Sequence, residues 1–213
     1  MNFGLTDEQK MIVDATRGFV ETELFPHEAE VERTGILRPD LMKEIAQKAV
    51  AAGLYAANMP EDVGGAGLDT LTWLLYEKEL GKANYALHWN CVARPSNILL
   101  ACTDEQREQY LFPCIRAEKH DCQAMTEPGS GSDLRSMKAF ARADGDDFII
   151  NGTKHFISHA DVADFAIVWV ATGEEDPPRG RKELIPAFLV DKGTPGFTVR
   201  DGYRNVSHRG YNN

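Results

Sequence analysis

The stretch at residues 124–134 reads Ala-Met-Thr-Glu-Pro-Gly-Ser-Gly-Ser-Asp-Leu and lies where the pattern of the chain changes from helical to strand-like. Pro128 fixes its own φ and favours an extended conformation for Glu127. Gly129 and Gly131 permit positive φ, so successive backbone N–H groups can converge on an anion beside nearby hydroxyl groups. From composition alone, the stretch is either such a ligand-binding loop or a Gly/Ser connection between two domains.

The chain before this stretch has apolar residues at helical spacing, which predicts an N-terminal helical bundle domain over residues 1–119. Thr6 and Thr103 each begin a capping box, with Gln three residues later. The predicted helices run from Thr6 until Pro26 stops the first, and then over Pro39–Ala52, Asp69–Leu80, Tyr85–Cys102 and Thr103–Ala117.

The chain after it has short apolar runs separated by turn residues, which predicts a small antiparallel β domain over residues 120–213. Asp144–Asp147 is a hairpin signal, and Gly173–Lys182 is predicted to be an exposed loop. The predicted strands are Ala139–Ala143, Phe148–Asn151, Lys154–Ile157, Phe165–Thr172, Ile185–Asp191 and Phe197–Arg200. The fold class is therefore α+β.

The charge and composition of the chain limit the classes of partner and the compartment that we expect. The chain has 23 Lys and Arg residues against 33 Asp and Glu residues, a formal net charge of −10, which disfavours nucleic acid and anionic membranes. It begins without a secretory signal, has no apolar run long enough to span a bilayer, and carries four cysteines without a CxxC pair. We expect a soluble protein with reduced thiols, located in the cytoplasm or, in a eukaryote, in the mitochondrial matrix.

Two common nucleotide-binding motifs are missing from the sequence. There is no GxxxxGK[ST] stretch, and the Gly-x-Gly pairs at residues 65–67 and 129–131 lack the third glycine of GxGxxG. Neither pair lies in an alternating βα pattern, which argues against a Rossmann domain.

The order of residues at 124–134 resembles the signature of the acyl-CoA dehydrogenase family, in which Thr-Glu-Pro is followed by Gly-x-Gly-Ser-Asp. Residues 59–67, Met-Pro-Glu-Asp-Val-Gly-Gly-Ala-Gly, resemble the Pro-Glu-x-x-Gly-Gly loop of that family. Residues 151–160, Asn-Gly-Thr-Lys-His-Phe-Ile-Ser-His-Ala, resemble its Asn-Gly-x-Lys-x-Trp-Ile-Thr/Ser-Asn-Gly/Ala segment. The resemblance covers essentially the entire chain.

The resemblance implies a non-covalent FAD cofactor. Thr126 would donate a hydrogen bond to the isoalloxazine edge, Ser158 would lie near flavin N5, and Ser132 would contact the cofactor or the pantetheine arm of an acyl-CoA substrate. The implied cofactor-binding residues are Gln123, Met125, Thr126, Gly131, Ser132, Phe156, Ile157 and Ser158. The sequence departs from the pattern at Phe156, where Trp is usual, and at His159, where Asn is common; Phe156 keeps only an apolar contact.

The implied reaction is α,β-desaturation of an acyl-CoA thioester, with α-proton abstraction and transfer of the β-hydride to flavin N5. In the family, Glu127 is not the base. The base comes from a later C-terminal helical domain, which we expect to be absent from this chain along with the end of the β domain. No catalytic residue is therefore assigned, and residues 1–213 alone are expected to be inactive.

The implied partners are an acyl-CoA substrate, an electron-transfer flavoprotein or similar acceptor, and further copies of the chain in a homotetramer or homodimer. Three alternatives stay open: an acyl-CoA oxidase, a flavin monooxygenase on the same scaffold, and a non-catalytic flavin- or CoA-binding module. Two basic segments are further candidates, residues 179–182 for a CoA phosphate and residues 208–209 for the flavin or thioester, although each is simply explained as a solvated charged loop.

Overall fold

A computed structural model describes residues 4–92, 94–172, 184–200, 202–203 and 205–212. The chain divides into two compact units. The helical unit comprises Met1–His120 and Arg204–Tyr211, and the β unit comprises Asp121–Tyr203 and Asn212–Asn213. The predicted loop at Gly173–Lys182, with its basic residues, lies outside the described residues.

The helical unit is built from α-helices, with 3₁₀ and π-helical turns between them. Its α-helices are α1 (Asp7–Phe19), α2 (Phe25–Thr34), α3 (Pro39–Ala51), α4 (Thr70–Leu80), α5 (Tyr85–Cys91), α6 (Asp104–Gln106) and α7 (Phe112–Ile115). Both predicted capping boxes are confirmed, at Thr6 and at Thr103. The described residues include no helix with the length and apolarity that crossing a membrane requires.

The prediction that Pro26 ends the first helix is wrong. A π-helical turn at Val20–Leu24 carries the chain from α1 directly into α2, and Pro26 lies in the first turn of α2. Pro113 stands in the same position, after a π-helical turn at Arg107–Leu111. The π-helical turn, with its i→i+5 bonding, accommodates a proline at this point of a continuous helical segment although the proline has no N–H to donate.

The predicted helix over Tyr85–Cys102 is interrupted. Helix α5 ends at Cys91, and a 3₁₀ turn at Asn97–Ala101 follows Pro95. Because the residue before a proline is disfavoured in the helical region, the chain stays extended at this point before Ser96 caps the next turn.

The core of the helical unit lies where α1 packs on α4 and α3 packs on α5. Tyr76 of α4 is 1% exposed, and its hydroxyl donates to the backbone oxygen of Leu54 at 2.6 Å. The segment at residues 205–211 returns to this unit, which the sequence pattern did not indicate. A Cβ at Gly210 would lie 2.7 Å from Val31 Cγ1, so only glycine fits this close approach.

The β unit contains two three-stranded sheets within the described residues. The strands are β1 (Asp121–Ala124), β2 (Phe140–Asp144), β3 (Asp147–Asn151), β4 (Phe165–Trp169), β5 (Ala171–Thr172) and β6 (Ala187–Asp191). The strand orders are β1-β4-β6 and β3-β2-β5. Small and apolar side chains, including Cys122, Ala139 and Val168, form its core.

The α+β class is confirmed, but the sheets are mixed rather than purely antiparallel. Pairs β2–β3 and β4–β6 are antiparallel, whereas β1–β4 and β2–β5 are parallel. A parallel pair needs a long crossover, and the chain between β1 and β4 provides one that also carries the two motifs at residues 124–134 and 151–160.

The predicted hairpin is confirmed, with Gly145 at φ +64° in the turn between β2 and β3. Two other predicted strands are wrong, because Lys154–Ile157 and Phe197–Arg200 have no strand pairing. At Phe156 the backbone is left-handed, with φ +56°, which a strand does not allow.

Replacing Tyr76 by Phe should lower the free energy of unfolding by about 1–2 kcal/mol, because the buried Leu54 carbonyl loses its donor. Leu74→Ala is the control, since this side chain lies on the same helix and is 58% exposed. Chemical denaturation of both variants checks the prediction, and equal losses of stability would contradict it.

Candidate functional site

The loop after β1 is closed by its own hydrogen bonds. The N–H of Glu127 donates to the oxygen of Ser130 at 2.8 Å, and the N–H of Ser130 donates back at 3.2 Å, around the central residues Pro128 and Gly129. The Ser130 hydroxyl, which is buried, donates to the oxygen of Asp133 at 2.7 Å. These internal hydrogen bonds define the turn at Pro128 and Gly129.

The Glu127 carboxylate links this loop to two other parts of the β unit. Its Oε2 accepts from the N–H of Lys138 at 2.6 Å, and its Oε1 accepts from the N–H of Ala139 at 2.9 Å and from Lys154 Nζ at 2.8 Å. The side chain is 5% exposed. Burial raises the pKa of Glu127, but the hydrogen bonds from Lys138, Lys154 and Ala139 outweigh it and lower the pKa overall.

Two further hydrogen bonds bring the segments at residues 124–134 and 151–160 side by side. Lys154 Nζ donates to the oxygen of Met125 at 3.0 Å. The N–H of His155 donates to the oxygen of Thr126 at 2.8 Å. The two motifs thus form one surface, although the bonded residues Met125 and Lys154 lie 29 positions apart in sequence.

Gly152 is required by the packing of this surface. A Cβ at this position would lie 2.4 Å from the Cβ of Ala139, whose N–H bonds to Glu127. Gly129 and Gly131 differ, because a Cβ on either would meet nothing within 4 Å and neither has positive φ. The expected anion-binding arrangement with positive φ at these two glycines is therefore not the conformation observed.

The predicted cofactor-binding residues fall into two groups by exposure. Half-buried are Met125, Thr126, Ile157 and Ser158, and exposed are Gln123, Gly131, Ser132 and Phe156. The hydrogen bonds place Met125 and Thr126 against Lys154 and His155, while none of the bonds described above links Gln123 or Ser132 to that junction. Phe156 is 57% exposed despite being a large apolar residue.

Sequence reasoning missed three residues of this surface. Lys154 is part of the second motif, but its ion pair with Glu127 joins residues 27 positions apart and has no signal in the sequence. Tyr203 gives no signal in the sequence, because it lies 48 positions from His155 and meets the motif only in the folded chain. His155 lies beside Phe156 in the sequence, but its hydrogen bond to Tyr203 is not visible there. The rings of His155 and Phe156 are stacked, with centroids 3.9 Å apart.

Comparison with known proteins establishes the family. The profile for the acyl-CoA dehydrogenase N-terminal domain matches residues 6–118, and the profile for the acyl-CoA dehydrogenase middle domain matches residues 122–213. The chain therefore belongs to the acyl-CoA dehydrogenase family, and the resemblance seen in the sequence motifs is confirmed.

Individual relatives match all or nearly all of this chain, but the match covers only part of their own length. The chain is 33% identical over 218 residues to the probable acyl-CoA dehydrogenase YngJ of Bacillus subtilis, covering 100% of this chain and 55% of that protein. It is 36% identical over 198 residues to 3-(aryl)acrylate reductase of Clostridium sporogenes, covering 91% of this chain and 50% of that protein. The chain spans about half the length of the curated relatives it matches.

A solved structure gives the same architecture with a cofactor. The chain matches the crystal structure of an acyl-CoA dehydrogenase complexed with FAD from Bacillus anthracis, with a TM-score of 0.81 and 27% sequence identity. The match covers 98% of this chain and 35% of that one.

Replacing Glu127 by Gln should lower the free energy of unfolding at neutral pH by about 3 kcal/mol, because Lys154 keeps a buried charge without its partner. The folded-state pKa of Glu127 lies below that of the unfolded chain. Its stabilisation is therefore complete above about pH 4.3 and is lost as the pH falls through the folded-state value. Denaturation at several pH values should show a shallower acid loss in the variant.

Asp146→Asn is the control, since it removes an exposed carboxylate from the hairpin turn of the same unit. It should keep both the stability and the acid loss of the parent protein. If Glu127→Gln gave the same curve as this control, the linking role of Glu127 would be wrong.

Proposed function

We propose that this chain forms the FAD-binding part of an acyl-CoA dehydrogenase that desaturates an acyl-CoA thioester between Cα and Cβ. The observation that carries the proposal is the junction of the two family motifs through Glu127 and Lys154 into one partly exposed surface. Membership of the acyl-CoA dehydrogenase family and the likeness to a structure complexed with FAD support it.

The residues on this surface fit a flavin. Gly129 and Gly131 have ordinary φ and open space, so neither glycine is needed for the loop itself, and both leave room for close approach of a ligand to the backbone. In the second motif, Phe156 exposes an apolar ring on a left-handed backbone. Strained residues of this kind occur mainly at ligand-binding sites.

The chain's own residues would share the binding between them. The hydroxyls of Thr126 and Ser158 supply hydrogen bonds to the polar edge of the ring system, and Phe156 and Ile157 pack on its apolar face. The exposed Ser132 contacts the cofactor or the pantetheine arm of the substrate. The remaining proposed cofactor-binding residues are Gln123, Met125 and Gly131. When bound, FAD supplies the hydride acceptor for the reaction.

Glu127 is not proposed as the base that removes the α-proton. Its two oxygens accept three hydrogen bonds, including one from a buried ammonium group, so they are already engaged. A base must reach the substrate proton directly. We propose that this base comes from a part of the protein outside residues 1–213, and that this chain alone does not turn over acyl-CoA.

The proposal includes an acyl-CoA substrate, an electron-transfer flavoprotein or a similar acceptor, and assembly into a homo-oligomer. It also includes a role in fatty acid metabolism and a location in the cytoplasm or mitochondrial matrix.

A second candidate function is the reverse reaction, reduction of a conjugated double bond, because one similar relative is named 3-(aryl)acrylate reductase. Assays of the full-length protein in both directions separate the two.

Gly131→Val in the full-length protein should remove bound FAD without unfolding the chain. The structure offers open space at Gly131, so the valine is compatible with the fold and obstructs only a ligand that approaches the backbone. Flavin absorbance per chain and the thermal midpoint are the measurements. Gly18→Val is the matched control, because Gly18 also has open space but lies in α1. Undiminished flavin in Gly131→Val would contradict the assignment.

Ser158→Ala should leave the FAD content close to normal and slow flavin reduction by acyl-CoA about five- to tenfold. This factor corresponds to the free energy of one hydrogen bond that favours the reduced flavin. Rapid-mixing absorbance of flavin bleaching measures this rate. Ser136→Ala is the control, since its hydroxyl bonds to the oxygen of Asp133. Equal bleaching rates in the two variants would remove Ser158 from the site.

A further inference from the structure

Three side chains form an aromatic cluster in the β unit: the half-buried His155 and the exposed Phe156 and Tyr203. The Tyr203 ring lies 5.2 Å from that of Phe156 and 5.5 Å from that of His155, centroid to centroid. The Tyr203 hydroxyl and His155 Nε2 are 2.9 Å apart and hydrogen-bonded. His155 therefore contacts Phe156 by stacking and Tyr203 by a hydrogen bond at the same time.

The conformation of Phe156 needs support from outside its own backbone. A left-handed φ of +56° is unfavourable for a residue with a Cβ, and such residues persist where their surroundings restrain them. The Phe ring has no polar atom with which to anchor itself, in contrast to the indole of the Trp that is usual at this position in the family. The polar anchor near the ring belongs instead to its neighbour His155.

Stability of the fold is a poor explanation of this arrangement. Phe156 is 57% exposed and Tyr203 is 58% exposed, so the cluster buries little apolar surface. A hydrogen bond between exposed side chains also competes directly with water. An ordered apolar ring at the surface is more useful for a ligand that covers it.

We propose that His155 and Tyr203 are positioning residues, which together orient the Phe156 ring for contact with the flavin and compensate for the missing indole. This inference rests on the proposed FAD-binding function and adds to it two residues that the family motifs do not assign. Neither residue takes part in proton or hydride transfer, and each acts through Phe156.

The test is a double-mutant cycle in the full-length protein with His155→Phe and Tyr203→Phe. The first keeps a ring for stacking but removes the imidazole nitrogen, and the second removes only the hydroxyl. The readouts are the dissociation constant of FAD for the apoprotein and the visible circular dichroism of bound flavin, which reports the orientation of nearby groups. Tyr110→Phe, in the helical unit, is the control for a Tyr-to-Phe change.

Each single variant should weaken FAD binding about five- to tenfold and alter the circular dichroism of the flavin, with the thermal midpoint of the apoprotein unchanged. The double variant should bind FAD no more weakly than either single variant, because both remove the same hydrogen bond. Unchanged binding and circular dichroism in Tyr203→Phe, or additive losses in the double variant, would overturn the inference while leaving FAD binding intact. A parent protein without affinity for FAD would overturn the proposed function itself.

Discussion

The site depends on one buried carboxylate. Glu127 accepts hydrogen bonds from the backbone of Lys138 and Ala139 and from the ammonium group of Lys154, and it thereby joins the end of β1, the start of β2 and the segment after β3. Burial of an isolated carboxylate would be costly, and three charge-assisted hydrogen bonds offset that cost. The acidic residue in the centre of the motif therefore stabilises the junction between these three segments.

Steric constraints around this carboxylate explain why neighbouring residues differ in their tolerance to change. Gly152 lies against Ala139 so closely that any side chain would separate the two segments. Gly131 has open space and an ordinary backbone, so a side chain there would be felt only by a ligand. Phe156 has a strained backbone, and the residue before it is held in place because the backbone N–H of His155 donates to the oxygen of Thr126. The hydrogen bond from His155 to Thr126 therefore fixes the chain next to the exposed ring of Phe156.

Local signals in the sequence predicted local structure well. The capping boxes at Thr6 and Thr103 and the hairpin turn containing Gly145 depend on residues within four positions of each other. The expected stop at Pro26 failed, because a π-helical turn accommodates the proline within a continuous helical segment. The strand expected at Lys154–Ile157 is wrong because Phe156 has a left-handed backbone, with φ +56°, which a strand does not allow. The family motifs predict the candidate site, but the contact of Tyr203 with Phe156 arises only from folding.

A crystal structure of the full-length protein with FAD tests the central claim most directly. The account predicts one FAD on each chain, with its isoalloxazine ring in contact with Phe156 and within hydrogen-bonding distance of Thr126 and Ser158. It also predicts that the hydrogen bonds that Glu127 accepts from Lys138, Ala139 and Lys154 remain unchanged when the cofactor is bound. Density for FAD elsewhere on the β unit, or a Glu127 carboxylate turned towards the cofactor or substrate, would contradict it.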